Sequence, residues 1–193
     1  MTLPTKLSLL RILLTFTIMG LLFVSGWIAK AVALALFLLA GFTDWLDGHL
    51  ARRWGQTSAL GALLDPIADK VLVLGTFLAF VQLRLIPAWM VLIIALREFL
   101  ITGVRLFAAS RAVVLSAAKE GKHKTVSQMV TIVVVLIALI VQALFGATPL
   151  SAAMRWVVLG CLWVTMVLTV ISGAAFFWRH RVILMDAASK YGD

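Results

Sequence analysis

The chain has 193 residues, of which 63% are hydrophobic and 13% are charged, and its mean hydropathy is +1.11. This composition excludes a soluble globular domain and indicates a helical protein that crosses a membrane several times. The formal net charge of +9 suits anionic lipid headgroups and anionic substrates. Because the basic residues belong to apolar helices, the charge does not indicate a nucleic-acid-binding protein.

Apolar runs of about 20 residues, the length that crosses a bilayer, predict an all-α polytopic membrane protein with six transmembrane helices. The whole of 1–193 is expected to be one domain. The N-terminal segment predicts a short interfacial helix that runs into the first span, without a clean signal-peptide cleavage site. Cys161, the single cysteine, lies in an apolar run and is expected to pack there without a disulfide. The predicted spans are 7–28, 31–53, 60–81, 87–108, 124–146 and 153–178.

Basic residues are distributed unevenly between the two ends of these spans. The end that carries fewer of them has Lys30, Arg84 and Arg155. Because positive charge is retained on the cytoplasmic side, both termini and the 53–60 loop are predicted to face the cytoplasm. The basic residues of that richer end are Lys6, Arg52, Arg53, Arg111, Lys119, Lys122, Lys124, Arg179, Arg181 and Lys190.

The stretch 44–69 concentrates four of the eight acidic residues of the chain, namely Asp44, Asp47, Asp65 and Asp69. An ionised carboxylate at membrane depth costs about 2.5–3.5 kcal/mol on insertion scales, so four together indicate a compensating positive charge. The first two share one face of a predicted helix, and the last two share one face of the next. Oxygen donors alone favour Mg²⁺ or Mn²⁺ over Zn²⁺, so this pattern predicts a divalent-metal site.

Other interpretations of the same carboxylates remain open. They could pair with Arg52, Arg53 and Lys70 in buried salt bridges. They could form the transport site of a divalent-cation transporter, although such sites usually lie at the midplane between repeated halves, and the chain has no internal repeat. A non-catalytic membrane scaffold is a further alternative.

The acidic stretch also follows a longer pattern, D-x2-D-G-x2-A-R-x8-G-x3-D-x3-D. This pattern resembles, without a departure, the signature of the CDP-alcohol phosphatidyltransferase family. The resemblance implies a membrane enzyme that uses CDP-diacylglycerol and binds two Mg²⁺ or Mn²⁺ ions through the four aspartates. It also implies that Asp69 is the general base. The matching positions are Asp44, Asp47, Gly48, Ala51, Arg52, Gly61, Asp65 and Asp69.

The CDP moiety is expected to contact small and polar residues of two segments. An N-terminal element resembles the N-x2-T-x2-R of family members, with Thr5 in place of Asn, Ser8 in place of Thr, and Arg11 retained. The alternative for this element is a plain interfacial anchor. The expected contacts are Thr5, Ser8, Gly48, Ala51, Arg52, Ser58 and Gly61.

Two further segments, REFLITGVR at 97–105 and GKHKT at 121–125, place charge within or beside apolar helices. Four of their cations are predicted to bind a phosphate of the acceptor, because guanidinium groups offer a fork of donors and lysine a point charge. The alternatives are pairing of the arginines with Glu98 and ordinary surface anchoring by the lysines. The four cations are Arg97, Arg105, Lys122 and Lys124.

The same two segments resemble the R-E-x6-R and G-K-x-K-T elements of bacterial phosphatidylglycerophosphate synthases. This resemblance implies that the acceptor is glycerol 3-phosphate. It further implies a homodimer in a bacterial inner membrane. The distribution of positive charge predicts that the active site faces the cytoplasm. Inositol phosphate, phosphatidylglycerol and serine remain alternative acceptors.

Overall fold

The computed structural model describes the backbone of residues 3–54, 59–110, 120–146 and 148–189. It describes the side chains of residues 6–43, 67–109, 123–146, 148 and 152–181. Within these ranges the chain forms six α-helices and no strand, which confirms the predicted all-α class. The helices are α1 (Leu3–Phe23), α2 (Trp27–Trp54), α3 (Ala59–Gln82), α4 (Ala88–Ser110), α5 (Glu120–Phe145) and α6 (Pro149–Ser189).

Among the residues whose side chains are described, three segments qualify as membrane spans by length and apolar composition, and Trp27–Thr43 is a shorter apolar helix. These segments support the predicted class of membrane protein, whereas six crossings stay a prediction. The N-terminal region forms one helix from Leu3 onward, so the expected short interfacial helix is not a separate element. Pro4 lies in the first turn of α1, where its missing N–H removes no helical hydrogen bond. The three candidate spans are Lys6–Phe23, His123–Phe145 and Ala152–Arg181.

Helix α6 carries exposed tryptophans towards both of its ends. Trp156 is 76% exposed and Trp178 is 71% exposed, and the guanidinium of Arg181 lies 4.7 Å from the ring centroid of Trp178. At a rise of 1.5 Å per residue the two tryptophans are about 33 Å apart along the helix. That distance is close to the roughly 30 Å thickness of a bilayer's hydrocarbon core, and tryptophan prefers its two boundaries. The spacing therefore fits a helix that crosses the membrane.

Helix α3 is central to the bundle, because it packs against α1, α4 and α5. Its contact with α1 is close: a Cβ added at Gly75 would lie 2.8 Å from Cγ2 of Thr15 and 3.4 Å from Sδ of Met19. Thr15 is itself buried, and its hydroxyl donates to the backbone carbonyl of Arg11 at 2.9 Å. Glycine at position 75 thus permits an approach of the two helices that a larger residue would block.

The C-terminal end of α3 forms a Schellman motif. The N–H of Leu85 donates to the carbonyl of Phe80, and the N–H of Arg84 donates to the carbonyl of Val81, both at 2.9 Å. Arg84 has φ 58°, the left-handed position that glycine normally occupies because a Cβ is costly there. Helix α5 ends with the expected residue, since Gly146 has φ 67° and donates to the carbonyl of Gln142.

We expect Gly75→Ala to destabilise the protein by about 1–3 kcal/mol, because the new methyl group overlaps Cγ2 of Thr15. Adding Thr15→Ser, which removes Cγ2, should restore most of the loss. Gly160→Ala on α6 is the control, since nothing among the described atoms lies within 4 Å of a Cβ there. The measurement is thermal unfolding in detergent. Equal effects of the alanine at positions 75 and 160 would contradict the close α1–α3 packing.

The helix ends generate a second prediction. Arg84→Gly should increase the free energy of unfolding by roughly 0.5–1 kcal/mol and so raise the melting temperature. The reason is that glycine has no Cβ and adopts the left-handed backbone conformation without strain. Gly146→Ala should lower it by a similar amount for the opposite reason. Both variants are compared with the parent in the same detergent. A lower melting temperature for Arg84→Gly would show that the arginine side chain outweighs the backbone strain.

Candidate active site

The four aspartates of the acidic stretch lie at one end of two consecutive helices. Helix α2 carries Asp44 and Asp47 towards its C-terminal end, and α3 carries Asp65 and Asp69 towards its N-terminal end. The connection spans five Cα–Cα steps of 3.8 Å, so the facing helix ends are at most about 19 Å apart. Among the four, Asp69 has a described side chain, while the side chains of the other three lie outside the described residues.

Asp69 lines a small pocket at the junction of α3, α4 and α5. The polar part of its wall comes from all three helices, and its apolar part comes from Val73 and Leu74 of α3. Asp69 is half-buried and lies close enough to Lys124 for a direct electrostatic interaction. The pocket therefore places a carboxylate opposite a buried ammonium group. Its polar residues are Asp69, Lys70, Glu98, Lys124, Thr125 and Gln128.

The carboxylate of Glu98 holds two cations at the side of this pocket. Its Oε1 accepts a hydrogen bond from Nη1 of Arg97 at 3.2 Å and another from Nζ of Lys124. Both Glu98 and Lys124 have little exposed side-chain surface. Glu98, Arg97 and Lys124 together carry a net charge of one positive unit. Of the two cations, Lys124 lines the pocket.

Helix α6 supports the two predicted arginines of α4. Nη2 of Arg97 donates to the hydroxyl of Ser172 at 2.6 Å, and a Cβ at Gly173 would lie 3.3 Å from Cγ of Arg97. Arg105 is exposed, and its guanidinium lies 5.5 Å from the ring centroid of Phe176. Arg97 thus belongs to the buried cluster, whereas Arg105 lies at its exposed margin.

The predicted phosphate-binding set is therefore divided. Lys124 lines the pocket, Arg97 reaches it through Glu98, and Arg105 is outside the part of its wall that the structure describes. The pairing of Arg97 with Glu98, which the sequence left as an alternative, is present in the structure. The side chain of Lys122 lies outside the described residues.

Of the expected CDP contacts, Ser8 is the one with a described side chain. Ser8 is 1% exposed and Arg11, one turn further along α1, is 2% exposed. A plain interfacial anchor would instead place these polar side chains at the surface. The remaining contacts stay predictions, because their side chains lie outside the described residues: Thr5, Gly48, Ala51, Arg52, Ser58 and Gly61.

Sequence reasoning missed Gln128, which is buried and lines the pocket one turn after Lys124. A carboxamide in the middle of an apolar helix was the available signal, because polar groups within membrane spans usually face the protein interior. Reasoning from the sequence also missed the contact between α5 and α6 through the hydroxyls of Thr131 and Thr165, 2.8 Å apart.

Comparison with known proteins identifies the class to which this helical bundle and its acidic signature belong. The family model described as CDP-alcohol phosphatidyltransferase matches residues 1–171. The chain therefore belongs to the CDP-alcohol phosphatidyltransferase family, and the resemblance expected from the sequence is confirmed.

Individual relatives extend over most of the chain. It is 36% identical over 153 residues to the CDP-diacylglycerol–glycerol-3-phosphate 3-phosphatidyltransferase of Bacillus subtilis, covering 79% of this chain and 75% of the relative. It is 32% identical over 217 aligned positions to the protein of that name from Cereibacter sphaeroides, covering 96% of this chain and 98% of the relative. The chain is also 35% identical over 150 residues to the CDP-diacylglycerol–glycerol-3-phosphate 3-phosphatidyltransferase 2 of Arabidopsis thaliana. This match covers 70% of this chain and 64% of the relative.

The cluster around Glu98 generates a third prediction. Glu98→Gln should destabilise the protein by about 3–5 kcal/mol, because it leaves buried cations without a carboxylate. The double variant Glu98→Gln/Lys124→Met should be more stable than Glu98→Gln alone, since it removes one of those cations. Thermal unfolding of Glu98→Gln, Lys124→Met, the double variant and the parent in one detergent measures these effects. A double variant that loses the sum of the two single losses would contradict the pairing.

Proposed function

We propose that the chain transfers the phosphatidyl group of CDP-diacylglycerol to sn-glycerol 3-phosphate and releases CMP. The products are phosphatidylglycerophosphate and CMP, so the reaction belongs to phospholipid synthesis. The relatives from Bacillus subtilis and Cereibacter sphaeroides, which match most of the chain, carry the name of this activity. The observation that carries the proposal is the pocket in which Asp69, the last aspartate of the signature, faces the buried cation Lys124.

In the proposed reaction, the free primary hydroxyl of glycerol 3-phosphate attacks the phosphorus that bears the diacylglycerol. A new P–O bond forms there, and the bond from that phosphorus to the oxygen of CMP breaks, so that CMP leaves with the electron pair. Asp69 accepts the proton of the attacking hydroxyl, the role that the family resemblance implies. A carboxylate half-buried at the wall of a pocket can be reached by a small acceptor and still be held in place.

The acidic residues have the chemistry that a divalent ion requires. All four contribute oxygen donors, which suit Mg²⁺ and Mn²⁺, and covalent connectivity keeps the two helix ends that carry them near each other. We propose that two such ions are held by Asp44, Asp47, Asp65 and Asp69. When bound, the ions would neutralise the charge of the pyrophosphate oxygens and stabilise CMP as the leaving group.

The basic residues are proposed to bind the phosphate of the acceptor. Lys124 presents its ammonium group to the pocket, and Arg97 balances the charge of Glu98 if Lys124 turns towards the phosphate. Arg105, exposed over the ring of Phe176, offers a guanidinium fork from the margin. Lys122 completes the proposed set.

The remaining contacts concern the lipid substrate. The CDP moiety is proposed to lie against Thr5, Ser8, Gly48, Ala51, Arg52, Ser58 and Gly61. The acyl chains of CDP-diacylglycerol would stay in the bilayer beside the apolar surfaces of the bundle. We further propose a homodimer in a bacterial inner membrane, with both termini and the active site on the cytoplasmic side, as the distribution of positive charge favours.

The fourth prediction tests the activity and its base together. The purified protein should release CMP from CDP-diacylglycerol with glycerol 3-phosphate, and should do so much more slowly with serine, inositol phosphate or phosphatidylglycerol. Asp69→Asn should lower kcat by at least about 10²-fold, since an amide accepts no proton, while the melting temperature stays near that of the parent. Chelation of divalent ions should stop turnover, and Mg²⁺ or Mn²⁺ should restore it.

Three results would contradict the proposal. Near-normal turnover of Asp69→Asn would exclude the general-base role. A preference for serine would point to the same chemistry with an acceptor that carries no phosphate, for which Arg105→Ala should leave the acceptor KM unchanged. Metal flux into proteoliposomes that contain no liponucleotide would favour a cation transporter instead.

A further inference from the structure

Gln128 combines deep burial with an unsatisfied polar group. Its side chain is 2% exposed, and its Nε2 has no hydrogen-bond partner among the described residues. Enclosing an amide donor without a partner opposes folding, so native structures rarely keep one unless a ligand or another group uses it. The position therefore calls for a functional explanation.

The neighbouring polar side chains of α5 show that partners are available in this region. Lys124 pairs with Glu98, and the hydroxyl of Ser127 donates to the carbonyl of Lys124 at 2.7 Å. The hydroxyl of Thr131 lies 2.8 Å from that of Thr165 and contacts the carbonyl of Cys161 at 3.2 Å. Lys124 and Thr131 thus join α5 to α4 and α6, whereas the hydrogen bond of the Ser127 hydroxyl stays within α5.

Gln128 lies on the same side of α5 as Lys124. It is one turn from Lys124, so both side chains line the pocket that Asp69 also lines. From α3 and α5 the pocket wall thus has the carboxylate of Asp69, the ammonium groups of Lys70 and Lys124, the hydroxyl of Thr125 and the carboxamide of Gln128. Gln128 supplies the carboxamide of this set. A carboxamide both donates and accepts hydrogen bonds, which suits a hydroxyl better than a phosphate.

The acceptor of the proposed reaction has three polar groups of matching chemistry. Its primary hydroxyl must lose a proton to a base, its phosphate needs a cation, and its secondary hydroxyl needs a neutral partner. We propose that the carboxamide of Gln128 hydrogen-bonds the secondary hydroxyl and thereby selects acceptors that carry two adjacent hydroxyls and a phosphate. This inference rests on the proposed function and adds to it a residue that determines acceptor specificity.

The test compares two acceptors that differ in one group. 3-Hydroxypropyl phosphate keeps the phosphate and the primary hydroxyl of glycerol 3-phosphate but lacks the secondary hydroxyl. The parent should prefer glycerol 3-phosphate by at least about tenfold in kcat/KM, because a site built around a hydroxyl rejects the analogue without it. Gln128→Met, which keeps the length of the side chain but makes no such bond, should reduce this preference to within about threefold.

Thr131→Val is the matched control on the same helix. It removes a hydroxyl that joins α5 to α6 without lining the pocket, so it should lower the melting temperature and leave the acceptor preference at the parent's value. Gln128→Met should instead keep the parent's melting temperature, because Nε2 loses no partner among the described residues. CMP release with each acceptor and thermal unfolding are measured for all three proteins.

The outcomes separate this inference from the proposed function. A parent that prefers glycerol 3-phosphate, with a Gln128→Met variant that shows the same preference, would overturn the role of Gln128 alone. A parent that releases no CMP with either acceptor would overturn both proposals. A Gln128→Met variant that unfolds at a much lower temperature would assign the carboxamide to the fold and overturn its role in specificity.

Discussion

The carboxylate of Glu98 is the interaction on which the arrangement of the pocket depends. It joins Lys124 of α5 to Arg97 of α4, and Arg97 in turn donates to Ser172 of α6. Three helices are thereby connected at one point, directly beside Asp69 of α3. Desolvating these charges costs more than most buried ion pairs return, so stability alone is a weak reason for keeping the cluster. Its position at the wall of the pocket is a better reason.

The apolar packing of α3 complements this polar connection. Helix α1 and helix α3 approach closely at Gly75 and Thr15, and Gly75 lies six residues, or about 9 Å of helix, from Asp69. A helix that is fixed by such a contact gives the carboxylate of Asp69 a defined position relative to Lys124. Side chains that must act on one small substrate need this precision, because small displacements of reacting groups lower rates strongly.

The predicted spans match the observed helices where the apolar run and the helix have the same ends, and they fail where the helix stops earlier or continues further than the apolar run. The bounds of α3 and α4 agree with the predicted spans to within two residues. Helix α1 ends at Phe23 rather than at 28, because Gly26 adopts φ 99° and the chain turns there. Helix α6 continues to Ser189, beyond the predicted end at 178, since hydropathy reports the thickness of a bilayer and not the length of a helix.

At the site, too, the sequence predicts some features and misses others. The acidic signature was sufficient to identify the family, because its spacing is encoded locally in the chain. Arg97 and Arg105 were expected to bind one phosphate together, yet their separation of eight residues advances about 80° beyond two full turns of helix. That offset is enough to leave one in the buried cluster and the other exposed over Phe176.

The contact of Lys124 with Glu98 joins residues 26 positions apart on different helices, and no local pattern encodes it. It also explains how a cation can remain buried and still be available to an anion. Glu98 pairs with both Lys124 and Arg97. In the proposed function, Arg97 would keep Glu98 neutralised when Lys124 turned to a phosphate, so no buried charge would be left uncompensated at either stage. Without Glu98, Lys124 would lose the carboxylate to which it is hydrogen-bonded, at a larger electrostatic cost.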